Sequence, residues 1–99
     1  MMKLIIEDYQ GRREVVPFVG EVMTIGRLAD NQVRLRERDV SRRHGRIMRT
    51  AARAFVVEDL ASLTGIRVNG QRITGPCAIG EGDLIQISAF ELSLEAGPE

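Results

Sequence analysis

Ninety-nine residues, 43% of them hydrophobic and 28% charged, suffice for one globular domain, so residues 1–99 are read as a single unit. The formal net charge is zero but uneven: residues 1–33 carry −1, residues 34–53 carry +6 from eight arginines against Glu37 and Asp39, and residues 54–99 carry −5. Such a pattern points to a local anion site and away from a surface made for long polyanions. The single cysteine, Cys77, excludes an intrachain disulfide and a cysteine-based metal site, and reads as a small buried apolar side chain. Met1–Asp8 turns charged too early for a signal peptide, and no apolar run approaches the ~18 residues of a membrane span. The expectation is a cytoplasmic protein with no membrane partner.

Short β-like runs separated by turn residues fill the chain. In order they are Lys3–Glu7, Glu14–Phe18, Val22–Gly26, Gln32–Leu35, Gly45–Thr50, Ala54–Asp59, Ile66–Val68, Gln71–Ile73, Cys77–Ile79, Leu84–Ser88 and Phe90–Glu95. Several alternate apolar and polar residues with the period of two that a half-buried strand needs, as around Gln86 and around Ser93. Gln10-Gly11, Asn69-Gly70, Thr74-Gly75-Pro76 and Glu81-Gly82-Asp83 punctuate them as turns. Asn69-Gly70 is the strongest hairpin signal, because a type I′ turn needs positive φ at both central residues. No stretch sustains a helical apolar period. Eleven short strands imply an all-β fold, an antiparallel β-sandwich of two packed sheets with a core of Val, Ile and Leu. The tail Ala96-Gly97-Pro98-Glu99 reads as the start of a linker, leaving room for further domains beyond residue 99.

Three motifs stand in order: Gly26-Arg27 at a strand end with Asn31 four residues on, Ser41-Arg42-Arg43-His44 opening another strand, and Ser62-Leu63-Thr64-Gly65-Ile66-Arg67-Val68-Asn69-Gly70. Ser41 with His44 suggests a nucleophile and base, yet there is one histidine and no identifiable third orienting group, so catalysis is not expected. With no second histidine or cysteine, neither a metal site nor a cofactor is expected. The order and spacing of the motifs, with β-rich flanks from Leu4 to Leu94, closely resemble the forkhead-associated family. That resemblance implies an eleven-stranded sandwich whose loops at one end bind phosphothreonine in an extended peptide.

Residue by residue, the resemblance assigns Arg27 to the phosphate, Ser41 to a hydroxyl bond with a phosphate oxygen, and Arg42 to a second charged contact. Thr64 falls where the family holds the peptide backbone. His44 would tie the loops together, while Gly26, Asn31, Gly65, Asn69 and Gly70 would shape them. The chemistry suits the ligand: phosphothreonine carries roughly −1.5 to −2 charge on acceptor oxygens that a planar guanidinium matches. Four positions depart from the family pattern. Thr64 stands where Asn is usual and lacks a two-point amide; Leu63 is often polar, Ile66 often Thr, and Gly45 usually Ala.

The remaining arginines of the cluster, Arg34, Arg36, Arg38, Arg43, Arg46, Arg49 and Arg53, read mostly as outward strand residues that steer an anion collectively. The partner expected is therefore a phosphothreonine-containing protein or peptide in serine/threonine-kinase signalling. A phosphate-independent interaction or self-association module, with an altered loop at Leu63-Thr64, is the alternative. Nucleic acid is not expected, because residues 34–53 contain no aromatic to stack on bases.

Overall fold

The computed structural model describes residues 1–97, and every element in them is a strand. These are β1 (Met2–Glu7), β2 (Arg13–Pro17), β3 (Val22–Gly26), β4 (Val33–Arg34), β5 (Gly45–Ala51), β6 (Ala54–Asp59), β7 (Arg67–Val68), β8 (Gln71–Arg72), β9 (Cys77–Ile79), β10 (Ile85–Ile87) and β11 (Phe90–Ala96). All eleven expected strands form, three with the expected ends and the rest with ends shifted by one residue. The expected linker does not begin at Ala96, which closes β11; Pro98 and Glu99 lie outside the described residues.

The strands make a six-stranded sheet, β2-β1-β11-β10-β7-β8, and a five-stranded sheet, β4-β3-β5-β6-β9. Between them lies one cluster of buried side chains, including Leu4, Ile6, Met23, Ile25, Ile47, Phe55, Val57, Ile66, Ile85, Ile87, Leu92 and Leu94. The period of two accounts for this. Leu4 and Ile6 of β1 and Leu92 and Leu94 of β11 pair in register, Leu4 with Leu94 and Ile6 with Leu92, and all four face the opposing sheet.

Three sequence expectations need correction. One pair is not antiparallel: β3 and β4 run parallel, Ile25 opposite Val33 and Gly26 opposite Arg34. No hairpin turn separates them; residues 27–32 carry the chain back beside its own strand. Cys77 is half-buried at the rim of the core instead of inside it. Arg49 does not face outward. Its guanidinium lies 5.4 Å from the Phe18 ring centre and 5.2 Å from that of Phe55, two rings in edge-to-face contact at 5.0 Å. The stem and the delocalised cation close the end of the core away from the motifs. Of the other cluster arginines, only Arg34 and Arg46 stand on strands; Arg36, Arg38, Arg43 and Arg53 lie in loops and turns.

The Asn69-Gly70 turn has positive φ at both residues, 52° and 86°, and it is more than a turn. Asn69 Nδ2 donates to Asp83 at 2.9 Å, Asn69 Oδ1 accepts from the Leu84 N–H at 2.9 Å, and the Gly80 N–H donates to Asp83 at 2.7 Å. The β7–β8 turn is thereby latched to the β9–β10 connection. The Asn69 amide, and after it the Gly80 N–H, hold the Asp83 carboxyl below its ordinary range. A depressed carboxyl contributes stability above its unfolded-state pKa of 3.8 and loses it as pH falls through the lower folded value. Asp83→Ala should therefore cost about 1 kcal/mol at pH 7, a Tm loss of about 4–8 °C. In thermal melts the gap from the parent should persist at pH 5 and narrow below pH 3.8.

Candidate phosphate-binding site at the loop end

The ends of β3, β5 and β6 converge on one buried side chain. His44 is fully buried, and its Nδ1 accepts the Ser41 N–H at 3.1 Å. That acceptor role places the ring proton on Nε2, which donates to the Gly65 carbonyl at 2.7 Å. The His44 N–H donates to Ile25 O at 2.8 Å, and its carbonyl accepts from the Leu60 N–H at 3.0 Å. One residue thus joins β3, the β4–β5 loop and the β6–β7 loop.

Gly26 and Asn31 complete the frame. The Asn31 amide is buried and donates to both the Leu28 and Arg42 carbonyls, at 2.9 and 3.0 Å. A Cβ on Gly26 would lie 2.2 Å from Arg42 O and 2.9 Å from Asn31 Nδ2. Only a residue without a side chain lets the β4–β5 loop approach the end of β3 this closely.

Within the frame stand the three residues assigned to phosphate. Arg27 is half-buried; its N–H donates to Ser41 O at 3.1 Å and its Nε to Val40 O at 3.1 Å. The guanidinium is aimed by that bond, and among the described residues no carboxylate pairs with it. Ser41 Oγ accepts the Leu63 N–H at 3.0 Å, so its own proton remains free to donate outward. Arg42 is exposed and makes no side-chain bond within the described residues. Arg43, next along, is engaged: it pairs with Asp30 at 2.6 Å and reaches Asn31 Oδ1 at 3.4 Å.

The β6–β7 loop is committed almost throughout. The Ser62 N–H donates to Asp59 and the Gly65 N–H to Ser62 Oγ, each at 2.9 Å. Gly65 has φ of +82°, conformational room that its position before β7 requires. Thr64 itself has no positive φ, so a β-branched residue sits there without backbone strain. Its hydroxyl is spent on Asp39 O at 2.9 Å. Asp39 in turn accepts from Ser88 Oγ at 2.6 Å, tying in the β10–β11 turn.

The structure brings Gly26, Arg27, Asn31, Ser41, Arg42, His44, Thr64 and Gly65 to this end. Asn69 and Gly70 belong to the separate latch described above. The sequence did not single out Arg72, whose guanidinium packs over Gly65, with Nε 2.5 Å from where a Cβ on that glycine would sit. No spacing rule connects Arg72 to Gly65; the β7–β8 hairpin does. Nor did it single out Asp39, whose backbone carbonyl holds Thr64.

The family model described as FHA domain matches residues 23–88. Transcriptional regulatory protein EmbR of Mycobacterium tuberculosis is 34% identical over 79 residues, covering 80% of this chain and 20% of that protein. The chain thus spans about a fifth of the length of the curated relatives it matches. Among solved structures, EmbR in complex with a low-affinity phosphopeptide superposes with a TM-score of 0.83 at 32% identity, over 98% of this chain and 26% of that one. The FhaA FHA domain complexed with an intracellular domain of another protein gives 0.82 at 28% identity, over 96% and 100% of the two chains. A protein from Synechocystis sp. gives 0.86 at 26% identity, over 99% and 100%.

The close approach at Gly26 generates a stability test. Gly26→Ala should lower stability by about 1–3 kcal/mol, because the obstructing atom is backbone and cannot rotate away. Gly75→Ala, where no atom lies within 4 Å, should stay within about 0.5 kcal/mol of the parent. Urea denaturation of both variants measures the contrast.

Proposed function

The chain belongs to the FHA domain family, and from that premise we propose that it is a phosphothreonine-dependent peptide-binding module of serine/threonine-kinase signalling, acting over residues 1–99 as one unit. The carrying observation is Arg27: a half-buried guanidinium aimed by the Val40 carbonyl, lacking a carboxylate partner, beside a Ser41 hydroxyl with a proton to donate. An anion with several acceptor oxygens satisfies both at once, and exposed Arg42 adds a third donor group. The relatives favour the same ligand: EmbR has been solved with a phosphopeptide. Thr64 would touch the peptide next to the phosphothreonine, and His44, Gly26, Asn31 and Gly65 would hold the loops in place.

In this reading the protein binds and does not catalyse. His44 has both ring nitrogens committed within the fold, leaving no base for Ser41. Among the described residues no helix is long and apolar enough to cross a membrane, and a cytoplasmic setting, where kinases and their products meet, fits the proposed ligand.

Calorimetric titration against one phosphothreonine peptide selected from a degenerate library, with its unphosphorylated twin as control, tests the site. Arg27→Ala and Ser41→Ala should each weaken phosphopeptide binding by about 1.5–3 kcal/mol, tenfold or more, with unchanged fold. Parent affinity in either variant would remove the residue from the site.

Thr64→Asn should strengthen binding by about 0.5–1.5 kcal/mol, because it restores a side chain able to donate to and accept from the peptide backbone. The same change breaks the Thr64–Asp39 hydrogen bond, so a small loss of Tm should accompany the gain. The gain should disappear in an Arg27→Ala background, and weaker binding would favour the phosphate-independent interaction module.

A further inference from the structure

Five hydrogen bonds engage the β6–β7 loop within the fold: Ser62 N–H to Asp59, Leu63 N–H to Ser41 Oγ, Thr64 Oγ–H to Asp39 O, Gly65 N–H to Ser62 Oγ, and His44 Nε2–H to Gly65 O. Beside its remaining backbone groups the loop presents an apolar side chain. Leu63 is 82% exposed, the most exposed of the large hydrophobic side chains in the described structure.

Its position is fixed with unusual closeness to the phosphate donors. The Leu63 N–H is 3.0 Å from Ser41 Oγ, so an anion held by that hydroxyl sits beside the leucine backbone, within reach of its exposed side chain. We propose that Leu63 is the specificity-determining contact of this site, and that the preferred ligand is a phosphothreonine peptide with an aliphatic or aromatic side chain at one position flanking the phosphothreonine. The inference rests on the phosphopeptide reading and deepens it.

Three considerations favour this occupant. A leucine on a pinned loop loses little further freedom on binding, so covering it keeps most of the gain from removing apolar surface from water. Binding contacts are disproportionately carried on loops held by a rigid scaffold, and Leu63 sits on a loop pinned by its own backbone bonds. A second copy of the chain is a poor occupant, because face-to-face contact would oppose Arg27 and Arg42 of one molecule to the same residues of the other.

The test uses an oriented phosphothreonine peptide library with the parent, Leu63→Ser and Leu63→Ile proteins. The side chain of Leu63 makes none of the five bonds, so both variants should melt with the parent. The parent should enrich apolar residues at one fixed position; Leu63→Ile should keep that enrichment and Leu63→Ser lose it. For the best peptide, Leu63→Ser should weaken binding about tenfold, and almost not at all once its apolar residue is changed to alanine. Phosphate-dependent binding without an apolar preference, or a preference that survives in Leu63→Ser, overturns the inference and leaves the site assignment standing. Absence of phosphate-dependent binding by the parent overturns both. Concentration-dependent self-association that Leu63→Ser abolishes would assign the leucine to a second copy instead.

Discussion

A buried imidazole satisfies both of its nitrogens in only one arrangement of protons once its partners are fixed, and the arrangement at His44 governs the whole ligand end. Nδ1 must stay bare to accept the Ser41 N–H, and Nε2 must carry the proton it gives to Gly65 O. The same residue's backbone holds Ile25 and Leu60. Segments far apart in sequence are therefore pinned to one residue, β3 by its backbone and the β6–β7 loop by both ring and backbone. An apolar substitute would leave the half-buried Ser41 N–H and the buried Gly65 carbonyl without their partner, at about 1–3 kcal/mol for the buried group. It would also release the peptide unit that sets the Ser41 hydroxyl, and through it the Leu63 N–H. Stability and ligand geometry rest on the same bonds here.

Close packing around that ring explains two of the four departures from the family pattern as one event. A Cβ on Gly45 would lie 2.6 Å from Ile66 Cδ1 and 2.8 Å from Glu58 O. Gly45 stands where the family usually has Ala, and Ile66 where Thr is common. The isoleucine, itself fully buried, occupies the volume that the alanine methyl would take. Interiors tolerate exchanges that conserve volume far better than those that add to it. The other two departures, Leu63 and Thr64, lie on the surface and change chemistry instead of packing. The core pair keeps the frame constant while the exposed pair is free to vary with the ligand.

The strands were legible in the sequence because burial against one opposing sheet imposes a period of two, and eleven runs show it or are bounded by turn residues. The direction of β4 was not. It depends on how residues 27–32 fold back, and that is decided by the Asn31 amide bridging Leu28 O and Arg42 O, a contact across eleven residues. The site was legible as residue types, since guanidinium and hydroxyl groups on loops beside strand ends announce an anion. Which groups remain free was not legible. Arg43 and Arg42 are neighbours with the same charge, yet Asp30 takes one and leaves the other. Thr64 offered a hydroxyl by sequence and has spent it on Asp39 O twenty-five residues away. Such pairings are set by tertiary distance, and one-dimensional spacing does not encode them.

The distribution of charge follows from those pairings. Within residues 34–53, Arg43 is neutralised by Asp30 and Arg46 by Glu58, at 2.6 and 2.7 Å. Arg49 is turned onto two aromatic rings, and Arg34 is hooked by its Nε to Arg27 O at 3.0 Å. The formal +6 of the segment therefore overstates the field it presents outward. Exposed Arg36 and Arg38 act through water and are screened over about 8 Å at physiological salt, so their contribution is to approach more than to holding. Arg27 is partly removed from water, where a charge pair is screened less. Tyr9 is the only well-exposed aromatic side chain among the described residues, too few for a run of stacked bases. Four of the segment's eight arginines are thus engaged within the fold, and its exposed Arg42 stands beside the half-buried Arg27 at the loop end, two cations at one point where a single phosphate on a short peptide can meet both.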